Sequence, residues 1–249
     1  METDRRPGLY VEFGSYTEGA YAILKGAIIR SELAPGYKLR IGELCEMTGL
    51  GAGPVREALA RLSGERLVVS ASQRGFWVAP ISPAELRQLG RLRNMIEPTA
   101  VARAVEFGDP AWRFRVRTAW ASFAEETQRV GEVGSLTASW DRSHRDFHMT
   151  LLSGTRDAVL LDFAETVYDR FDRYRHLGIR ARGHLAGVKD DHAELARCAE
   201  MGDVTGAAEI MTRHVEDVAS ILERNIAWAE LTGADRPLAD GEAQDRAGS

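Results

Sequence analysis

Cysteine is nearly absent: Cys45 and Cys198 are the two in 249 residues and lie far apart. That excludes a disulfide framework and fits a reducing compartment. No apolar run approaches the roughly 18 residues needed to cross a bilayer, so no membrane partner is expected. The opening METDRRPGLYVEFG lacks the apolar stretch of a secretory signal, and the expected location is the cytoplasm. There is no repeat of fixed period and no low-complexity block. The net charge of -5 gives bulk electrostatics no preference for nucleic acid.

The charge is unevenly spread, however. Residues 20–80 carry Lys25, Arg30, Lys38, Arg40, Arg56, Arg61, Arg66 and Arg74, while acidic residues thicken after Glu97. In TEGAYAILKGAIIRS, residues 17–31, Ala20, Ile23, Leu24, Ala27 and Ile28 form one helical stripe, with Thr17 as the expected N-cap. Pro35 and Gly36 break the chain. IGELCEMTG reads as a second short helix ended by Gly49, and PVREALARLSGE as a third, with Pro54 in its first turn. Leu67–Val69 and Phe76–Ala79 read as two strands about a turn containing Gly75. Three helices followed by a hairpin is the order of a winged helix-turn-helix.

From Ala84 onward the periodicity is helical, with helices expected near 84–106, 109–130, 134–153, 157–179, 187–201 and 203–231. The fold class is therefore mostly α: a winged helix-turn-helix followed by an all-helical bundle. The expected divisions are an N-terminal arm at 1–16, a winged helix-turn-helix domain at 17–80, a linker at 81–83, a helical domain at 84–232 and a disordered tail at 233–249.

In a helix-turn-helix the second helix enters the major groove by its N-terminal end. Here that end is Gly51–Gly53, with Arg56 one turn in, suited to a phosphate or a guanine edge. At the wing tip Gly75 lets backbone approach the duplex, beside Arg74. Arg40 completes the candidate DNA contacts. The plain alternative is a solvated helix face and an ordinary hairpin turn.

Four of the six histidines fall in two pairs. His144 and His148, in HRDFH, share a helix face. His192 and His214 flank the turn MGD at nearly equal distances, so antiparallel helices bring both rings to one level. The pairs can converge as a four-ligand site for Zn, Ni, Cu or Fe, or serve as polar residues on a packed face. His176 and His184 have no such partner. A metal-dependent hydrolase or lyase is the rival reading, but no H-E-x-x-H or similar pairing supplies its general base.

The stretch AYAILKGAIIRSELAPGYKLRIGELCEMTGLGAGPVREALARL…QRGFWVAP resembles the DNA-binding domain of GntR-family bacterial transcription regulators. Its most specific parts are LAPG, PVREAL and the RG of the wing. The family often carries Ser-Arg-Thr where this chain has Gly51, Ala52 and Gly53. Operator choice is then expected to lean on Arg56, Arg74 and backbone N–H groups. Arg66, in GERLV, stands where Gly is commoner.

The segments LGRLRNMIEPTAVARAV, HRDFHMTLLSG and DHAELARCAEMGDVTGAAEIMTRHV resemble the ligand-binding FCD domain of the FadR-like branch. The resemblance implies a regulator rather than an enzyme, with a divalent metal held by an Asp and three His and a small carboxylate effector completing the coordination. His148, His192 and His214 match ligand positions, while His144 stands where the Asp is usual. That exchange makes the site softer, favours Zn or Ni, and attracts an anion. Asp141 and Asp146 are alternative carboxylates. A metal-free effector pocket is a further alternative. Arg93, in RNMIE, has as its plain reading an i,i+4 ion pair with Glu97; in the family an Arg here faces the cavity, which makes it an effector anchor. Arg170, Arg173 and Tyr174 are further effector candidates, whereas Trp112, Trp120 and Trp140 are expected in the core. A homodimer is expected, because two reading helices must meet half-sites about one DNA turn apart.

Overall fold

The computed structural model describes residues 14–71, 74–133, 137–182 and 191–228. Most of the expected N-terminal arm and all of the expected 233–249 tail lie outside them. Helix α1 (Tyr16–Ile29) is capped by Ser15, whose extended backbone lets its hydroxyl accept from Glu18 N at 3.0 Å. Thr17, expected as the cap, lies inside the helix and donates instead to Glu57 Oε2 at 3.1 Å. Helices α2 (Ile41–Thr48) and α3 (Ala52–Gly64) follow, then strands β2 (Val68–Ala71) and β3 (Gly75–Val78).

A two-residue strand, β1 (Lys38–Leu39), was not expected, because two residues carry no readable period. It pairs antiparallel with β3, Lys38 opposite Trp77, and β2 pairs on the other side of β3, giving the order β1-β3-β2. Ala20, Leu24, Ile28, Leu44, Val55, Leu59, Leu62, Leu67 and Val78 close the core beneath this sheet.

The second part is a helical bundle: α4 (Pro83–Phe107), α5 (Pro110–Val133), α6 (Ala138–Leu152), a 3-10 turn at Ser153–Thr155, α7 (Ala158–Arg182), α8 (Asp191–Met201) and α9 (Val204–Asn225). Ser82 caps α4 by accepting from Glu85 N, with Pro83 at its first position, where a missing N–H costs nothing. Helix α4 packs along α9 and against α7, α5 packs on α6, and α8 folds back on α9. At Gly90 an added Cβ would lie 3.2 Å from Ala219 Cβ, so glycine lets α4 and α9 approach closely. Among the described residues no helix is long and apolar enough to cross a membrane.

The bundle interior is split. One apolar cluster surrounds Ala100, Trp112, Phe123, Phe147, Leu195 and Met211. The other, nearer the linker, joins Ile81, Leu86, Leu89, Phe171, Val218 and Leu222. Between them along α4 stand Arg93 and Glu97, both buried. The histidines of the candidate site adjoin this pair and are flanked by Trp140, Phe147, Leu151, Met211 and Val215 of the first cluster.

Candidate metal centre and DNA-reading surface

Thr137 caps α6 by accepting from Trp140 N at 3.0 Å. From that start, Trp140, Ser143, His144, Phe147, His148 and Leu151 share the buried stripe, so the 3.6-residue period itself carries both imidazoles inward. His192 stands in the first turn of α8, and His214 midway along α9. The ring centroids form a closed quadrilateral: His144–His148 4.6 Å, His148–His214 5.4 Å, His214–His192 4.7 Å and His192–His144 5.3 Å, with His148–His192 5.2 Å across it. One ring nitrogen from each of His144, His148 and His192 lies within 4.8 Å of the others, which makes these three a candidate metal-holding triad. His214 adjoins that triad through His148 and His192.

The surroundings prepare neutral imidazoles. Burial pushes the His144 and His148 pKa values well below their usual value, assisted by the neighbouring rings and by the Arg175 charge, and at His148 by that of Arg93. Burial lowers His214 to about 4 despite its contact with Asp191. Neutral imidazole is the ligating form. Trp140 stacks on His144 at 5.0 Å, and Phe123 meets His144 and His192 edge-on. His144 Nδ1 lies 2.9 Å from the Tyr168 hydroxyl, which leaves Nε2 as its ligand atom. His148 is fully buried, yet among the described residues neither ring nitrogen has a hydrogen-bond partner. An orphaned buried imidazole beside two others is the arrangement a metal ion satisfies.

Asp141 and Asp146 are not drawn in. Asp141 Oδ1 accepts from Arg175 Nη2 at 3.1 Å and lies 3.6 Å from His176 Nε2; Asp146 is exposed. The carboxylate that does reach the cluster is Asp191, which sequence reasoning missed although it directly precedes His192. Its Oδ2 lies 3.7 Å from His214 Nδ1, and its Oδ1 accepts from Arg213 at 2.6 Å. Burial raises the Asp191 pKa, but these contacts outweigh it and hold the carboxyl below its usual value. Tyr168 was also missed; no local motif marks it.

The expected effector residues separate into two places. Arg93 borders the histidines, its guanidinium 4.4 Å over the Phe171 ring, and both its Nε and Nη2 donate to Glu97, at 2.5 and 3.0 Å. This is the i,i+4 pair of the sequence reading, buried instead of exposed. The structure does not bring Arg170, Arg173 and Tyr174 to the histidines. Arg170 donates to Glu85, Arg173 to the Ala79 carbonyl, and Tyr174 to Glu85 Oε2 at 2.6 Å while accepting from Ser82 N. Tyr174 lies six residues beyond Tyr168, or about 9 Å along the axis, and the rise per residue carries these heads past the site to the linker.

On the reader, Gly51 caps α3 without a side-chain bond to the first N–H groups, and Gly51, Gly53 and Arg56 are exposed. Arg74 and Gly75 are exposed at the wing, where Gly75 takes φ 113°, a conformation that disfavours any side chain. Arg40 is exposed but paired with Glu43 at 2.9 Å. Arg66 adopts φ 58°, which is the physical reason a glycine is commoner there.

Comparison with known proteins decides what carries this geometry. Residues 16–78 match the gntR family of bacterial regulatory proteins, and residues 88–217 match the FCD domain. The chain belongs to the GntR family. This GntR regulator is 30% identical over 224 residues to BphR of Paraburkholderia xenovorans strain LB400, described as an uncharacterized HTH-type transcriptional regulator; the match covers 89% of this chain and 91% of that one. It is 31% identical over 211 residues to the transcriptional repressor GlaR of Escherichia coli K12, covering 83% and 96%. The fold is also that of E. coli McbR, with a TM-score of 0.71 at 23% identity over 84% of this chain and 98% of that one. The chain is thus a DNA-binding transcription regulator with an FCD domain, and not an enzyme.

Proposed function

We propose that this GntR regulator acts in the cytoplasm as a homodimer whose operator affinity is set by a small organic-acid effector at a divalent metal, zinc or nickel, held by His144, His148 and His192, with His214 as the fourth ligand. The observation that carries the reading is His148: fully buried, both nitrogens without a hydrogen-bond partner among the described residues, inside a cluster of imidazoles. A dication among neutral imidazoles leaves buried positive charge, and an anionic carboxylate is the ligand that offsets it. Arg93, already satisfied by Glu97, adds positive potential beside His148 rather than a free fork. On the duplex, Arg56 reads the major groove, Arg74 and Gly75 follow the wing contact, and the uncapped N–H groups at Gly51–Gly53 take a phosphate.

Elemental analysis of untagged protein purified without chelator tests the metal. About one zinc or nickel per chain is expected, and none in the His148→Leu variant; a metal-free wild type overturns the site. For the reader, Arg56→Ala weakens binding to a duplex selected from random sequence by about 1–3 kcal/mol. Selection that yields no preferred sequence overturns the operator reading.

A further inference from the structure

Lys25 reaches out of the reader. Its Nζ lies 2.7 Å from Asp169 Oδ2 on α7, 3.0 Å from Glu65 Oε2 and 2.7 Å from the Tyr21 hydroxyl, which in turn donates to Glu65 Oε1 at 2.7 Å. Glu65 is the residue that caps the C-terminus of the reading helix α3, and Arg61 of that helix stacks its guanidinium 3.7 Å over the Tyr21 ring. One ammonium group therefore holds the end of α3 and the bundle at once. The Lys25 and Asp169 side chains are 18% and 5% exposed, far from the fully hydrated state in which ion pairs contribute little.

The other oxygen of Asp169 leads back to the histidines. Oδ1 lies 3.0 Å from Arg145 Nη2, an ion pair without a hydrogen bond, while that Nη2 donates to Glu165 Oε1 at 2.6 Å. Arg145 directly follows His144, and Asp169 directly follows Tyr168, whose hydroxyl meets His144 Nδ1. Helices α6 and α7 are thus joined at two consecutive levels, His144 to Tyr168 and Arg145 to the buried Asp169. Any shift of one helix on the other changes how Asp169 is shared between Arg145 and Lys25.

We infer that Lys25 and Asp169 form a clasp that positions the reading helix, and that the histidine cluster acts on operator affinity through it. The second half rests on the metal reading above; the first does not. Both residues are positioning residues, since neither is placed on DNA or metal.

The test compares wild type with Lys25→Met, Asp169→Asn, the double variant and Lys25→Arg, all on the duplex the wild type selects, first after chelator treatment and then with Zn2+ alone. In metal-free protein each loss-of-charge variant is expected to shift operator affinity about fivefold or more, both in the same direction. The double variant shifts it no further than the larger single change, and Lys25→Arg stays within about twofold of wild type. Arg145→Gln, which frees Asp169 for Lys25, shifts affinity in the opposite direction. With Zn2+, the wild-type response shrinks to less than about twofold in Lys25→Met. Loss-of-charge variants that bind like wild type without metal, or an Arg145→Gln effect of the same sign as theirs, overturn the clasp. A wild type that takes up no zinc overturns the metal reading instead and leaves the metal-free comparison standing.

Discussion

Around Leu24, Leu59 and Leu67 the reader encloses apolar side chains, and its described buried polar residues are Ser31 and Thr48, the latter donating its hydroxyl to the Leu44 carbonyl at 2.7 Å. The bundle, by contrast, buries Arg93, Glu97, Asp169, Asp172, Arg173, Arg175 and five histidines. Burying ions costs free energy that hydrogen bonds repay only in part, so a helical domain built for stability alone would not assemble such a layer. The difference separates two kinds of work. The reader keeps an apolar inside and carries its proposed DNA contacts, Arg56, Arg74 and the helix-terminal N–H groups, on its surface. The bundle holds its candidate site inside.

Four measurements break or sharpen that contrast. The largest change is expected for Glu97→Ala, which strands the buried Arg93 guanidinium: about 4 kcal/mol lost in urea unfolding. A loss below about 1 kcal/mol would mean water reaches Arg93 and the layer is not dry. Leu59→Ala opens a cavity in the reader core and costs about 3 kcal/mol, with no change in metal content. The third is acid titration of metal-free protein. His214 has a folded pKa of about 4 against its ordinary 6.5, so below pH 6.5 the unfolded chain takes up a proton that the folded chain refuses. This contribution is complete above pH 6.5 and drains as pH falls towards 4, removing about 2 kcal/mol by pH 5. His214→Phe removes this share of the slope and leaves that of His144 and His148; a profile unchanged by the substitution would assign the acid sensitivity elsewhere. The smallest is Arg66→Gly, which relieves a left-handed residue and stabilises the protein by about 1 kcal/mol in thermal melts; destabilisation would show that the Arg66 side chain holds a contact worth more than the strain.

The contrast also explains what was legible in the sequence. Periodicity carries the apolar stripes, so α1, α3 and the bundle helices stand close to where the pattern puts them. The same stripe turns His144 and His148 inward, and the turn at Gly202, φ 75°, sets His192 beside His214. Partners chosen across helices leave no local trace. Tyr168 and Arg175 are distinguished from their neighbours on α7 only by what α6 presents to them, and the Lys25–Asp169 pair joins residues in different domains. Arg170, Arg173 and Tyr174 have the right chemistry for a carboxylate, but rise along α7 places them against Ala79, Ser82 and Glu85. Helix boundaries shifted for local reasons, as at Ser15, which captures the free N–H of Glu18 before Thr17 can act.

The polar layer has a mechanical consequence as well. Within the two apolar clusters, sliding one helix on another breaks many dispersion contacts together, so those parts are stiff in shear. At the level of the histidines, ring edges and a Tyr168–His144 hydrogen bond join the helices, and among the described residues the His148 nitrogens have no hydrogen-bond partner. A ligand bridging the rings would tie α6, α8 and α9 together at that level, so the same few side chains would decide how freely those helices slide.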